Sequence, residues 1–138
     1  MSLVVEKFLI SSKGFDDYID ITSKIQDIAV GNDSKNALIN LYVSSPCAGL
    51  KIIENEPGLE IDIKKIMNVF APVNKIYEHD NVWHDGNAFS HLKTFLVGNS
   101  LSIPVVEYRL ALGQNQRIIM FDFDNKVSQK EIIVSIIK

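Results

Sequence analysis

Imidazole and carboxylate side chains are the usual material of metal sites and acid–base sites, and this chain concentrates them in one segment. Tyr77 to Lys93 reads YEHDNVWHDGNAFSHLK and contains His79, His84 and His91, all of the protein's histidines. Glu78, Asp80, Asp85 and Asn87 are interleaved with them. The spacing matches no short metal motif such as HExxH or paired CxxC, so a site here has to be assembled by folding. Structural readings compete. Asp85 or Asn87 can cap a helix, and His91 falls on the flank of the helical stripe Ala88, Leu92, Phe95. His79 follows Tyr77 in what reads as an extended segment, which puts both side chains on one face.

A second candidate is SSPCAGLKIIENE, residues 44–56. Its hydroxyl pair and small-residue turn could offer backbone N–H groups to an anion; a tight strand connection without function is the simpler reading. Cys47 has no catalytic partner nearby in sequence and reads as a small buried apolar side chain. Glu54 and Glu56 are either paired carboxylates for acid–base work or solvated residues leading into a helix. Asp122 and Asp124 alternate with phenylalanines and read as the solvent face of an antiparallel strand. There is no P-loop and no GxGxxG, which leaves Lys93, Arg109 and the turn at 98–100 as anion contacts.

The elements that must position these residues follow from pattern. Residues 3–10 read as a strand, 11–14 as a turn and 15–21 as a short strand. Thr22 caps a helix carrying Ile25, Ile28 and Ala29 to Gly31. Strands at 37–43 and 50–55 are joined through SSPCAG. Pro57 opens a helix whose Leu59, Ile63, Ile66 and Phe70 recur at helical spacing up to Pro72. A further helix from Ala88 stops at Gly98 and Asn99. LSIPVVEYRLAL, RIIMFDFD and EIIVSIIK close the chain as β-type runs. This order implies one α+β domain over residues 1–138. The last strand is apolar on both faces, so a helix of its own subunit or a neighbouring subunit must cover it.

Composition bounds the function. A net charge of −3 over 138 residues gives no basic field for nucleic acid or an anionic membrane. One cysteine excludes an internal disulfide and suits a reducing cytoplasm. The N-terminus has no signal-peptide core and no apolar run reaches spanning length. A soluble cytoplasmic protein is expected.

Several segments together resemble the YjbQ-like family, also described as secondary thiamine-phosphate synthases. They are KGF at 13–15, CAGLKIIENE at 47–56, YEH at 77–79, DGNAFSHLK at 85–93, LVGNSLSIPV at 96–105 and RLALGQNQ at 109–116. The resemblance implies a two-sheet β-sandwich with two to three helices, assembled as a homotrimer through its sheets. It implies a histidine-based site for a divalent metal, zinc or magnesium, or for phosphate. The implied reaction joins a pyrimidine-methyl diphosphate to a thiazole phosphate with loss of pyrophosphate. In it His79, His91 and Glu54 are the catalytic candidates. Lys93, Asn87, Asn55 and Ser45 are the substrate or anion contacts. His79, His91 and His84 are the metal candidates.

Departures from the family pattern matter as much. Ser45-Pro46-Cys47-Ala48 stands where relatives have His-Thr-Thr-Ala or His-Thr-Ser-Ala, so Ser45 replaces one site histidine. Asn115 replaces an aromatic residue, and Gly-Pro-Arg is missing from FDFDNKVSQK. A three-imidazole zinc site reduced to two binds metal weakly unless His84, Cys47 or Asp85 substitutes. A diverged, non-catalytic trimer that binds a metal or anion is the alternative reading.

Overall fold

The computed structural model describes residues 1–138. Its elements are β1 (Leu3–Ser12), β2 (Asp17–Asp20), α1 (Thr22–Gly31), β3 (Asn36–Val43), β4 (Ala48–Ile53) and α2 (Pro57–Phe70). There follow α3 (Glu78–Trp83), α4 (Ala88–Val97), β5 (Ser100–Val106), β6 (Arg109–Leu110), β7 (Arg117–Asp122) and β8 (Ser128–Ile137). A five-stranded sheet has the order β1-β8-β3-β5-β6, and a three-stranded sheet the order β2-β7-β4. Every pairing is antiparallel. The α+β two-sheet architecture agrees with the sequence reading. No helix is long and apolar enough to cross a membrane.

The core lies between the sheets. Ile39, Leu41 and Val43 of β3 and Ile132, Val134 and Ile136 of β8 meet Leu50 of β4 and Ile118 and Met120 of β7, with Ile25 and Ala29 of α1 closing the side. The other face of β7 carries Ile119 and Phe121, which with Phe123 beyond the strand pack against Met67 of α2 and Val97 of α4. β7 is thus covered on both faces, by a sheet and by helices. That corrects the reading of FDFD as half-solvated: Asp122 and Asp124 are 0% and 4% exposed.

The remaining differences are local. The run LSIPVVEYRLAL is divided at Glu107 and Tyr108, both at positive φ, into a tight hairpin. Tyr77 does not lead an extended segment through His79; it precedes the six-residue α3, giving four helices in place of two to three. Asp80 makes this turn stable, because its carboxylate accepts the Tyr77 N–H at 3.3 Å and the Ala88 N–H at 3.3 Å. So short a helix shows no periodicity, which is why alternation was the better fit to its sequence.

Candidate functional site

Position begins with Gly49. A Cβ there would lie 2.7 Å from both the Gly98 carbonyl oxygen and Val97 Cγ1, so only glycine lets β4 and the end of α4 approach this closely. The Leu50 N–H donates to the Gly98 carbonyl at 3.0 Å and locks the contact. α4 is thereby laid beside the turn that precedes β4. His91 Nδ1 donates to the Pro46 carbonyl at 3.0 Å, which fixes the protonated nitrogen and leaves Nε2 with its lone pair facing outward. Cys47 Sγ lies 3.2 Å from Ser90 Oγ and 3.6 Å from His91 Nδ1. Burial pushes the Cys47 thiol up from its ordinary range, and the nearby Ser90 hydroxyl offsets this only in part.

His79 comes from the first turn of α3 and meets His91 edge to face, with ring centroids 4.7 Å apart at 86°. Its Nε2 is buried without a hydrogen-bond partner; Asp85 Oδ1 is 3.7 Å away, beyond hydrogen-bonding reach. Asn87 joins these groups. With its amide nitrogen turned to the carboxylate it donates to Asp85 Oδ1 and Oδ2 at 2.9 and 3.1 Å, and it reaches His91 Nε2 at 3.3 Å. The other end of the amide sits 3.9 Å from Cys47 Sγ.

The imidazole pair lines an open cleft of about 470 Å³ whose walls include Ser45, Trp83, Asp124, Lys126 and Lys130. Ser45 Oγ accepts the Cys47 N–H at 3.1 Å, so the residue in place of the family histidine serves the turn. Lys130 Nζ donates to Asp124 Oδ2 at 2.9 Å. Trp83, Asp124, Lys126 and Lys130 were not among the residues expected from sequence. Asp124 was assigned to solvent, and the two lysines belong to a stretch that departs from the family pattern.

Other expected residues fall elsewhere. His84 is the left-handed C-terminal residue of α3, exposed and outside the cleft. Lys93 is fully buried, its Nζ donating to Asp16 Oδ1 at 2.9 Å and to Asn68 Oδ1 at 3.1 Å, so it braces the core. Glu54 and Asn55 follow β4 whereas Cys47 precedes it, a separation of roughly 20 Å along the strand. They lie with Asp20, Asn115 and Arg117 in a separate polar pocket. His79, His91, Asn87 and Ser45 are the expected residues brought together.

For a metal, the nearest donors are Nε2 of His79, Nε2 of His91 and the Asp85 carboxylate. No three histidine, cysteine, aspartate or glutamate side chains converge as a ligand set. Cys47 approaches His91 on the Nδ1 edge, which is committed to Pro46. The residues of this chain therefore do not fit a closed zinc site.

Comparison with known proteins agrees with the fold. The family model described as UPF0047 protein YjbQ-like matches residues 6–138. A UPF0047 protein of Archaeoglobus fulgidus is 37% identical over 115 residues, covering 83% of this chain and 87% of that one. One from Methanocaldococcus jannaschii is 30% identical over 132 residues, covering 95% and 92%. Among solved structures, a hypothetical protein of Aeropyrum pernix superposes with TM-score 0.88 at 27% identity, covering 95% of this chain and 96% of that one. A protein of unknown function from Sulfolobus solfataricus, described as YbjQ-like, gives TM-score 0.87 at 26% identity and 98% coverage of each chain. The chain therefore belongs to the YjbQ-like, UPF0047 family.

Proposed function

We propose that the cleft binds a small phosphorylated molecule, and that the reaction to test first is the condensation of a pyrimidine-methyl diphosphate with a thiazole phosphate. The observation that carries this reading is the buried, unpartnered Nε2 of His79 beside the outward Nε2 of His91. A buried polar nitrogen without a partner is costly, so it favours a ligand that supplies one. Lys126 and Lys130 stand on the same cleft, and Trp83, 70% exposed, offers a face for a heteroaromatic ring.

In that reaction the thiazole nitrogen attacks the pyrimidine methylene carbon as the C–O bond to pyrophosphate breaks. The protein's part is to hold the two rings in line and to stabilise charge on the departing oxygen. His79 and Lys126 are the groups placed for the second task. No step is assigned to a resident metal, because no closed ligand set is present.

Purified protein, assayed with and without added magnesium or zinc, should form thiamine phosphate from the two precursors. His79→Ala and His91→Ala should each reduce turnover by roughly 10-fold or more. Turnover no higher than in the His91→Ala variant would reject catalysis. Pyrophosphate binding that is unaffected by both substitutions would reject the site. The alternative of a binding protein without catalysis is favoured by one observation, the commitment of Ser45 to the turn at Cys47. It predicts pyrophosphate binding without product.

The proposal extends to assembly. The outward face of the large sheet is uncovered by any element of the chain, and we assign it to contacts with two further copies in a homotrimer.

A further inference from the structure

Two buried carboxylates and one ammonium meet at the wall of the cleft. Asp122, Asp124 and Lys130 are 0%, 4% and 8% exposed, brought together where β7 and β8 turn these residues into the space between the sheets. Lys130 Nζ donates to Asp124 Oδ2 at 2.9 Å and to Ser128 Oγ at 2.7 Å. Asp122 Oδ2 is 3.8 Å from the same nitrogen, buried, and without a hydrogen-bond partner. The other oxygens are engaged by backbone: Asp122 Oδ1 accepts the Asp124 N–H at 3.0 Å, and Asp124 Oδ1 accepts the Asn125 N–H at 2.8 Å. Two negative charges against one positive leave a surplus carboxylate in a medium where an unpaired charge is expensive. Lys126, the other lysine on the cleft, forms no ion pair with either.

The two carboxylates are not equivalent. Asp124 lines the cleft and Asp122 sits behind it. Lys130 is one short displacement, about 1 Å, from hydrogen-bonding distance to Asp122. A reserve partner for the ammonium frees the front carboxylate for a ligand.

We propose that Asp124 is a specificity-determining residue of the cleft, receiving a hydrogen-bond-donating, positively polarised nitrogen of the ligand while Lys130 shifts to Asp122. The ligand class is then a phosphorylated heterocycle that bears an amino group. The exchange brings the missing donor to the carboxylate pair and removes the orphaned oxygen. It rests on the reading that the cleft takes a small phosphorylated molecule and specifies the other end of that molecule.

The test is calorimetric titration with three probes: inorganic pyrophosphate, the 4-amino-2-methylpyrimidine-methyl phosphate, and the same pyrimidine lacking its amino group. Native protein should bind the amino compound roughly 10-fold or more tightly than its desamino counterpart, since only the former replaces Lys130 at Asp124 and frees the ammonium for the unpartnered Asp122 oxygen. In Asp124→Asn the preference should fall to about 2-fold or less. Equal binding of the two pyrimidines by native protein, with pyrophosphate still bound, overturns the inference and leaves the phosphate reading standing. Full discrimination retained in a folded Asp124→Asn protein also overturns it. Failure to bind any probe overturns both. Should Asp124→Asn not fold, as judged by circular dichroism, the native comparison decides alone.

Discussion

His91 uses its two ring nitrogens differently, and most of the site's chemistry follows from that. Nδ1 is tied to the Pro46 carbonyl at 3.0 Å, so Nε2 is the nitrogen available to Asn87 or to a ligand. Cys47 sits on the tied edge, where Nδ1 already carries its proton and cannot serve as a base for the thiol. Its raised pKa, caused first by burial, means the thiol stays protonated at neutral pH. Alkylation by iodoacetamide at pH 7.5 should therefore be slow in native protein, about 10-fold or more below that in denaturant. Equal rates, followed by mass spectrometry, would show that the turn is not closed over the sulfur. The sequence reading of Cys47 as buried holds, but its contact with His91 was not legible, because residues 44 apart meet only through the packing of α4 on β4. For the same reason His84 drew attention it does not merit. Nearness in sequence placed it with His79, while a left-handed helix end turns it away from the cleft.

At the scale of elements, two contacts hold the site in place. The first is the approach of α4 to β4 at Gly49. Gly49→Ala would force a methyl group against the Gly98 carbonyl and Val97, costing about 1–3 kcal/mol and displacing His91. Urea unfolding should show the lowered midpoint, and pyrophosphate affinity should fall with it; an unchanged midpoint would mean the helix yields freely. The second contact closes the far end of the small sheet. Burial alone would raise the Asp20 pKa, but hydrogen bonds from Arg117, Thr22 and Asn55 outweigh it and leave the carboxyl below its ordinary value. A depressed pKa contributes stability above the unfolded value, about 3.9, and that contribution is lost as pH falls through the folded one. Asp20→Asn should cost about 1 kcal/mol at pH 7, modest because Arg117 is 41% exposed. The gap to native protein should begin to narrow as pH falls below about 4. A gap of the same size at pH 7 and at the acid limit of urea melts would assign the loss to packing. Long strands and the helices α1, α2 and α4 were readable from period, since their apolar faces repeat, although Ile21 and not Thr22 precedes α1 and the Asn87 side chain makes no cap hydrogen bond to α4. The double burial of β7 was not, because phenylalanine and aspartate alternate there while both faces are covered, and Lys130 on β8 together with backbone N–H donors makes that tolerable.

Across the whole molecule the two sheets differ in how they are finished. The small sheet is covered by α2 and α4 on one side and by the large sheet on the other. The large sheet has no cover on its outer face, where Leu3, Ile137, Leu38 and Pro104 stand opposite one another across four strands. Leu3, Leu38 and Ile137 are 64%, 43% and 40% exposed. An apolar row across a flat sheet is costly in water unless another surface meets it. This resolves half of what the sequence left open about the last strand: Ile132, Val134 and Ile136 are covered within the chain, in a core shared by the opposite sheet and helix α1. Ile133 and Ile137 point outward, to the face we assign to other copies. Sedimentation equilibrium should accordingly give the mass of three chains. Leu38→Arg should shift the protein toward monomer, because an unpaired arginine buried at a desolvated contact is strongly unfavourable. Phe95, 83% exposed on α4, provides the control, since Phe95→Arg changes an equally apolar surface on the opposite side of the molecule. A trimer that survives Leu38→Arg and dissociates with Phe95→Arg would move the interface from the sheet to the helices. The cleft, whose wall includes His91 of α4, would then lie beside the subunit contact.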